Sequence, residues 1–141
     1  MRTNTLRVFV YGTLKPGEVN YNLYCADKIV EEKKAITFGQ LFALPVGYPA
    51  MIPGESLVQG CLLTFADPAM LTILDALEGY EPYRAPDQNE YNRQQIRVYD
   101  LTRKTLGLAW VYLMTSEQIK RFQGVPIVSG CWSQLRRFKS S

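Results

Sequence analysis

Apolar side chains crowd the segment Leu6–Leu14, where Val, Phe and Tyr run together and close on Gly12. That pattern reads as a buried strand entering a turn, and Lys15-Pro16-Gly17 continues the turn chemistry. A short, weakly helical stretch is predicted around Asn20–Ala26. Ile36–Leu44 follows as a strand interrupted by Gly39, and Ser56–Phe65 as another with Gly60 inside it. Between them, residues 44–50 and the pair Pro53-Gly54 read as loop. Glycine within a strand pattern marks a bulge or a close backbone approach, as a tightly curved sheet requires.

The clearest helical signal begins with Asp67 as N-cap and Pro68 at the first helical position. It carries Leu71, Leu74 and Leu77 on one side, and Gly79 stops it, leaving Glu78 in the last turn. After an acidic loop containing Glu81, Asp87 and Glu90, two strand-like runs, Tyr91–Asp100 and Leu106–Met114, flank Leu101–Thr105 and should pair as a hairpin. Alternation puts Tyr91 and Arg93 on one face, and likewise Leu108, Trp110 and Tyr112. Ser116 is expected to cap a short helix reaching Phe122, with irregular chain beyond Gly124. Strands outnumber helices, and helices do not alternate with every strand. An α+β fold with a mixed or antiparallel sheet curled toward a small barrel is therefore expected, not a doubly wound nucleotide-binding fold.

The length, 141 residues, suits one domain, and 47% hydrophobic with 21% charged residues is ordinary for a soluble globular protein. No apolar run approaches the roughly 20 residues of a membrane span, and the first residues lack a secretory pattern. Cys25, Cys61 and Cys131 are odd in number and far apart, which fits reduced thiols in a cytoplasmic protein better than a disulfide framework or zinc site. Residues 91–141 hold nine Lys and Arg against two Asp and Glu, a local charge of +7 opposed by −4 in the rest. No aromatic-basic recognition motif accompanies this charge, so a solvated surface is expected, with neither nucleic acid nor membrane as partner.

The chain contains no histidine. Ser-His-Asp and Cys-His nucleophile systems, H-E-x-x-H zinc sites and a histidine base are thereby excluded. Chemistry must run on carboxylates, tyrosines, lysines, cysteines or backbone amides. Gly12 and Gly17 have phosphate-loop spacing, but Glu18 and Val19 stand where Lys-Ser/Thr would be needed, and an acidic side chain repels phosphate. The strand end instead offers backbone N–H groups suited to a carboxylate or an oxyanion. Glu78 sits at the negative end of a helix dipole, and Asp75 adds a like charge on the same face. Both effects, with any desolvation, drive a carboxyl pKa upward, toward the range useful for proton transfer.

Val10-Tyr-Gly-Thr-Leu14, Gly39-Gln-Leu-Phe42 with Tyr48-Pro-Ala50, Leu74-Asp-Ala-Leu-Glu-Gly-Tyr80, Tyr91 with Arg93, Ala109-Trp-Val-Tyr112, and Ser129-Gly130 with Trp132 stand in this order along nearly the whole chain. This succession resembles the gamma-glutamylcyclotransferase-like family, and Lys-Pro-Gly after the first motif is closest to its gamma-glutamylamine branch. One departure is Cys131, where the pattern would have an acidic residue. The resemblance implies a barrel-like fold with a cavity, and cyclisation of a small gamma-glutamyl amide to 5-oxoproline with release of an amine. It implies Glu78 as the proton-transferring residue and Tyr11, Gly12, Thr13 and Leu14 as the glutamyl-binding segment. Because the substrate's own amine attacks, neither cofactor nor metal is needed. Arg93 and Tyr112 are candidate second contacts. The competing expectation is a member that keeps the cavity but not the reaction, acting as a small-molecule binder or partner-recognition module.

Overall fold

The opening apolar run forms β1 (Leu6–Val10), buried on both faces because Val8, Phe9 and Val10 feed two different sides of the core. The computed structural model describes residues 5–12, 14–15, 18 and 27–132; the helix expected around Asn20–Ala26 lies outside them, as does Thr13. β1 ends at Val10, earlier than the apolar pattern implies. The chain then turns, with the Lys15 N–H donating to the Gly12 carbonyl at 3.0 Å.

The strands β2 (Ile29–Ala43) and β3 (Pro49–Phe65) form a long antiparallel hairpin around residues 44–48. Both are longer than hydrophobic alternation predicts. Glu31, Glu32, Lys33 and Lys34 are exposed, and pairing to β3, not burial, holds them in the sheet. Pro53-Gly54, expected as loop, lies within β3. Gln40 faces Ile52 while Gly39 faces Ser56, so residues 53–55 bulge out of the ladder, where a proline need not donate a hydrogen bond. Thus Gly39 marks a bulge, as its place in the strand implied.

The predicted hairpin is present as β4 (Asn92–Tyr99) and β5 (Thr105–Leu113), antiparallel, with Arg93 opposite Tyr112 and Gln95 opposite Trp110. Its connection is shaped by the Asp100 carboxylate, which accepts from the Thr102 hydroxyl at 2.7 Å and from the backbone N–H groups of Lys104 and Thr102, and is thereby held below the usual carboxylate range. Among the described residues the α-helices are α1 (Met70–Leu77) and α2 (Ser116–Arg121), and a short β6 (Val125–Pro126) pairs with β2. Asp67 does cap, but it caps a tight turn leading into α1: its carboxylate accepts the Ala69 N–H at 2.9 Å, and the helix proper begins at Met70. For α2 the cap is Thr115, one residue before the expected Ser116, in a reciprocal capping box with Gln118.

The sheet order is β3-β1-β5-β4-β2-β6, and the β2–β3 pairing joins its two sides, so the sheet curls into a ring. β1 and β5 run parallel and the other pairings are antiparallel. This is the expected α+β fold with a curled mixed sheet. Closing it demands one very close backbone approach: a Cβ at Gly60 would lie 2.2 Å from the Val10 carbonyl oxygen. Leu74, fully buried, fastens α1 to the cluster containing Val8, Val10, Leu14 and Tyr112. The end of that helix is therefore set beside the end of β1.

Candidate active site

The helix end itself is fixed by Gly79, at φ +68°, which lets the chain reverse in a left-handed conformation that a side chain would oppose. The Tyr80 N–H donates to the Asp75 carbonyl at 2.9 Å and the Gly79 N–H to that of Ala76 at 3.3 Å, a Schellman closure. Glu78 is the C-cap. Its carbonyl accepts the Tyr91 N–H at 3.2 Å, and the Gly79 carbonyl accepts the Glu90 N–H at 3.1 Å. Residues 90–91 are thus laced to the helix end. From the other side the buried Gln118 amide donates to the carbonyls of Asn89 at 2.7 Å and Glu90 at 3.2 Å, holding the same segment in place.

Glu78 and Glu90 both line a cavity of about 130 Å³, smaller than pockets that hold drug-sized ligands and suited to a compact head group. The same cavity is lined by Tyr11, Gly12 and Leu14 from the end of β1, by Tyr48 and Pro49 from the β2–β3 hairpin and by Tyr91 and Tyr112 from the β4–β5 hairpin. The Tyr11 hydroxyl donates to the Tyr112 carbonyl at 2.5 Å and accepts the Met51 N–H at 3.2 Å, tying β1, β3 and β5 together beneath the turn. The Tyr91 hydroxyl donates to the Pro49 carbonyl at 2.6 Å. Burial pushes the phenols of Tyr11, Tyr91 and Tyr112 upward, so they remain donors. At the mouth, the Tyr48 hydroxyl donates to the Glu90 carboxylate at 2.6 Å, and its phenol is pushed up to about 12 by burial and by that carboxylate. Among the described residues no group of three His, Cys, Asp or Glu is gathered to hold a metal ion.

Burial raises the Glu78 carboxyl to about 8, and the negative charge of Glu90 adds to the effect. The upward direction is the one the helix position implied, but the like charge at work is not Asp75. That carboxylate accepts Arg93 Nε at 2.9 Å and the Tyr112 hydroxyl at 2.7 Å, which neutralises and occupies it. A folded chain that keeps its Glu78 proton to about pH 8, against a reference value of 4.5, draws stability from the neutral form. The contribution is complete at low pH and is lost as pH rises through 8. Thermal melts should therefore show Glu78→Gln gaining on the wild type between pH 5 and pH 9. Parallel pH dependence in the two proteins would mean that the carboxyl is solvated.

Of the residues singled out in the sequence, Glu78, Tyr11, Gly12, Leu14 and Tyr112 meet around one cavity, and Thr13 lies outside the described residues. Arg93 does not line it. Its guanidinium is bound to Asp75 and stacked 4.5 Å from the Trp110 ring centroid and 4.9 Å from that of Tyr80, a clamp between α1 and the sheet. Cys131 does not line the cavity either: its N–H donates to Ser129 Oγ at 3.3 Å, and the Gln59 N–H donates to the adjoining Gly130 carbonyl at 2.7 Å. Cys61 and Cys131 are free thiols. Sequence reasoning missed Glu90, Tyr48 and Gln118. Tyr48 stands in one of the motifs quoted above but was given no role there, and nothing local to an acidic loop or a helix glutamine distinguishes the other two.

A protein-family model described as gamma-glutamyl cyclotransferase, AIG2-like, matches residues 8–134. The chain belongs to this family. No functionally curated protein sequence matches it significantly. Among solved structures, the AIG2-like chain is similar to YkqA from Bacillus subtilis, with 23% identity and a TM-score of 0.67 over 97% of this chain and 43% of that one. The present chain therefore spans less than half of YkqA. An AIG2-like protein from Mus musculus has 21% identity and a TM-score of 0.67, covering 92% of this chain and 89% of its own. A gamma-glutamyl cyclotransferase has 15% identity and a TM-score of 0.56, covering 79% and 68%. At such identities the likeness carries the fold, and the site must be argued from its own residues. No helix among the described residues of this family member is long and apolar enough to cross a membrane.

Proposed function

We propose that this protein is a gamma-glutamyl cyclotransferase of the gamma-glutamylamine type, converting a gamma-glutamyl amine to 5-oxoproline and the free amine with Glu78 as base and then acid. The observation that carries this reading is that the half-buried Glu78 at the end of α1 and the turn after β1 line one small cavity; burial, which raises its carboxyl to about 8, supports it. In the substrate, the α-nitrogen begins with three protons and ends with one, in the lactam. The leaving nitrogen gains two. A single carboxyl between them serves the transfer: it takes a proton from the ammonium, the freed lone pair attacks the γ-carbonyl carbon, the carboxylic acid protonates the departing nitrogen as its bond to carbon breaks, and the regenerated carboxylate takes the second proton from the ring nitrogen and passes it to the freed amine. Ring closure draws on proximity within the substrate, so the protein has only to hold the folded-back conformer. The turn at Tyr11, Gly12 and Leu14 supplies the surface for the glutamyl head, and Tyr112 lines the same cavity.

Incubation of the purified protein with gamma-glutamyl alkylamides should release 5-oxoproline and stoichiometric amine, detected by chromatography. Binding of these amides without product would instead support the reading of a cavity-bearing binder that does not turn over.

A further inference from the structure

Cys61 and Cys131 are free, half-buried thiols that have no part in the proton steps above and do not line the cavity. Far apart in the chain, they are brought to one place by the sheet. β1 pairs with β3 as far as Val10 opposite Cys61, and there β1 leaves the ladder. Past that point β3 meets the C-terminal segment instead: the Gln59 N–H donates to the Gly130 carbonyl at 2.7 Å, and a Cβ at Gly130 would lie 2.1 Å from the Leu57 carbonyl oxygen. On the other side of Cys131, Trp132 is buried in one cluster with Val58 and Leu62, and its carbonyl accepts the Lys15 ammonium. Lys15 is in turn tied to the end of β1 by its N–H bond to the Gly12 carbonyl. Cys131 is therefore pinned by both of its neighbours beside the stretch of β3 that carries Cys61.

The surroundings suit thiol chemistry. Burial pushes the Cys61 thiol up, Lys15 draws it back, and Glu32, Lys34 and the Cys131 thiol act on it more weakly. The two ammonium groups favour the thiolate, the form in which a cysteine reacts. We propose that Cys61 and Cys131 form a two-electron redox site, in which a peroxide converts the dithiol to an intramolecular disulfide that bolts the segment around Trp132 to β3 beside the end of β1. One thiolate attacks the peroxide and keeps one oxygen as a sulfenic acid, while the O–O bond breaks and water leaves. The other sulfur then attacks the sulfenic sulfur: the S–S bond forms, the S–O bond breaks, and a second water carries off the remaining thiol proton. The protein loses two hydrogens in all, and a low-molecular-weight thiol restores them. Because the bridge closes a long loop, it restricts the unfolded chain and makes the oxidised protein the more stable form.

Trypsin leaves the three cysteines in three different peptides, residues 8–28, 35–84 and 122–136, so the linkage can be read directly. The full chain, reduced and freed of reductant, is treated with a slight excess of hydrogen peroxide. Titratable thiols should fall from three to one, the mass should drop by about 2 Da, and non-reducing peptide maps should join residues 35–84 to residues 122–136, all reversed by dithiothreitol. Cys25→Ser should form the same bridge, and Cys131→Ser should keep both of its thiols. The bridged chain should melt about 10 °C above its reduced form, a gain absent from Cys131→Ser. Thiols that persist under peroxide, a bridge through Cys25, covalent dimers in place of the internal link, or conversion of either thiol to a sulfinic acid without a bridge overturns the inference. So does a bridge that lowers the melt, which would mean that closure distorts the folded chain. Each of these outcomes leaves the cyclotransferase reading standing, since neither thiol lines its cavity.

Discussion

Glu78→Gln is expected to lower kcat by about 10²- to 10⁴-fold, the usual contribution of a positioned proton-transfer group. The amide keeps the shape and polarity of the side chain but can neither accept the ammonium proton nor return it to the departing nitrogen. Circular dichroism and calorimetric binding of a gamma-glutamyl amide should be preserved, because the Schellman closure and the buried Leu74 fix the helix end independently of the carboxyl. For the wild type, kcat/KM should rise with pH along an acid limb near 8, since the free site holds a proton on Glu78 that must leave before the ammonium can donate its own. In the variant that limb disappears with the activity. Turnover within a few-fold of wild type would remove Glu78 from the mechanism, and with it the proposed function.

The second large effect concerns Gly60, far from the chemistry in sequence. A methyl group at this position would sit 2.2 Å from the Val10 carbonyl oxygen and 2.8 Å from the Phe9 ring, and the first of these partners is backbone that cannot swing away. Gly60→Ala must push β3 off β1 where β1 hands over to the turn that lines the cavity. Overpacking of this kind costs about 3 kcal/mol, hence a melting temperature roughly 10 °C lower. Activity at temperatures where the variant remains folded should fall as well, because displacement of Val10 moves Tyr11 and Gly12 relative to Glu78. An unchanged melt would mean that the sheet has slack where β3 passes the end of β1.

These two outcomes probe different links in one chain of causes. Glu78→Gln tests the chemistry of a site that remains assembled; Gly60→Ala tests whether the curl of the sheet assembles it. The fit of Asp75 and Arg93 belongs with the second. Their ion pair and the stacking of Arg93 on Trp110 and Tyr80 involve no residue of the cavity lining, so Arg93 serves the placement of α1 against β4 and β5. Residues that resemble site residues in a motif therefore divide here into those that line the cavity and those that do not.

Local signals in the sequence carried a good deal of this. Val8-Phe-Val-Tyr-Gly specified a buried strand and its exit, Leu71, Leu74 and Leu77 before Gly79 specified a helix with Glu78 at its end, and the runs around residues 101–105 specified a hairpin, because each depends on periodicity and turn chemistry within a few residues. The upward direction of the Glu78 pKa was expected from its place at a helix terminus, but its causes, burial first and then the Glu90 charge, belong to the tertiary structure. Only tertiary structure decided the remainder. β2 and β3 run well past their apolar segments because cross-strand hydrogen bonds, not alternation, sustain them, and Pro53 sits in a strand because a bulge frees it from donating. Glu90, not Asp75, acts on Glu78, since Asp75 is matched by Arg93 from a strand 18 residues away while Glu90 is carried to the helix end by backbone bonds to Gly79 and by Gln118. Charge, burial and hydrogen bonding at a site are sums over neighbours in space, and a chain that curls one sheet into a ring brings together neighbours that sequence spacing does not encode.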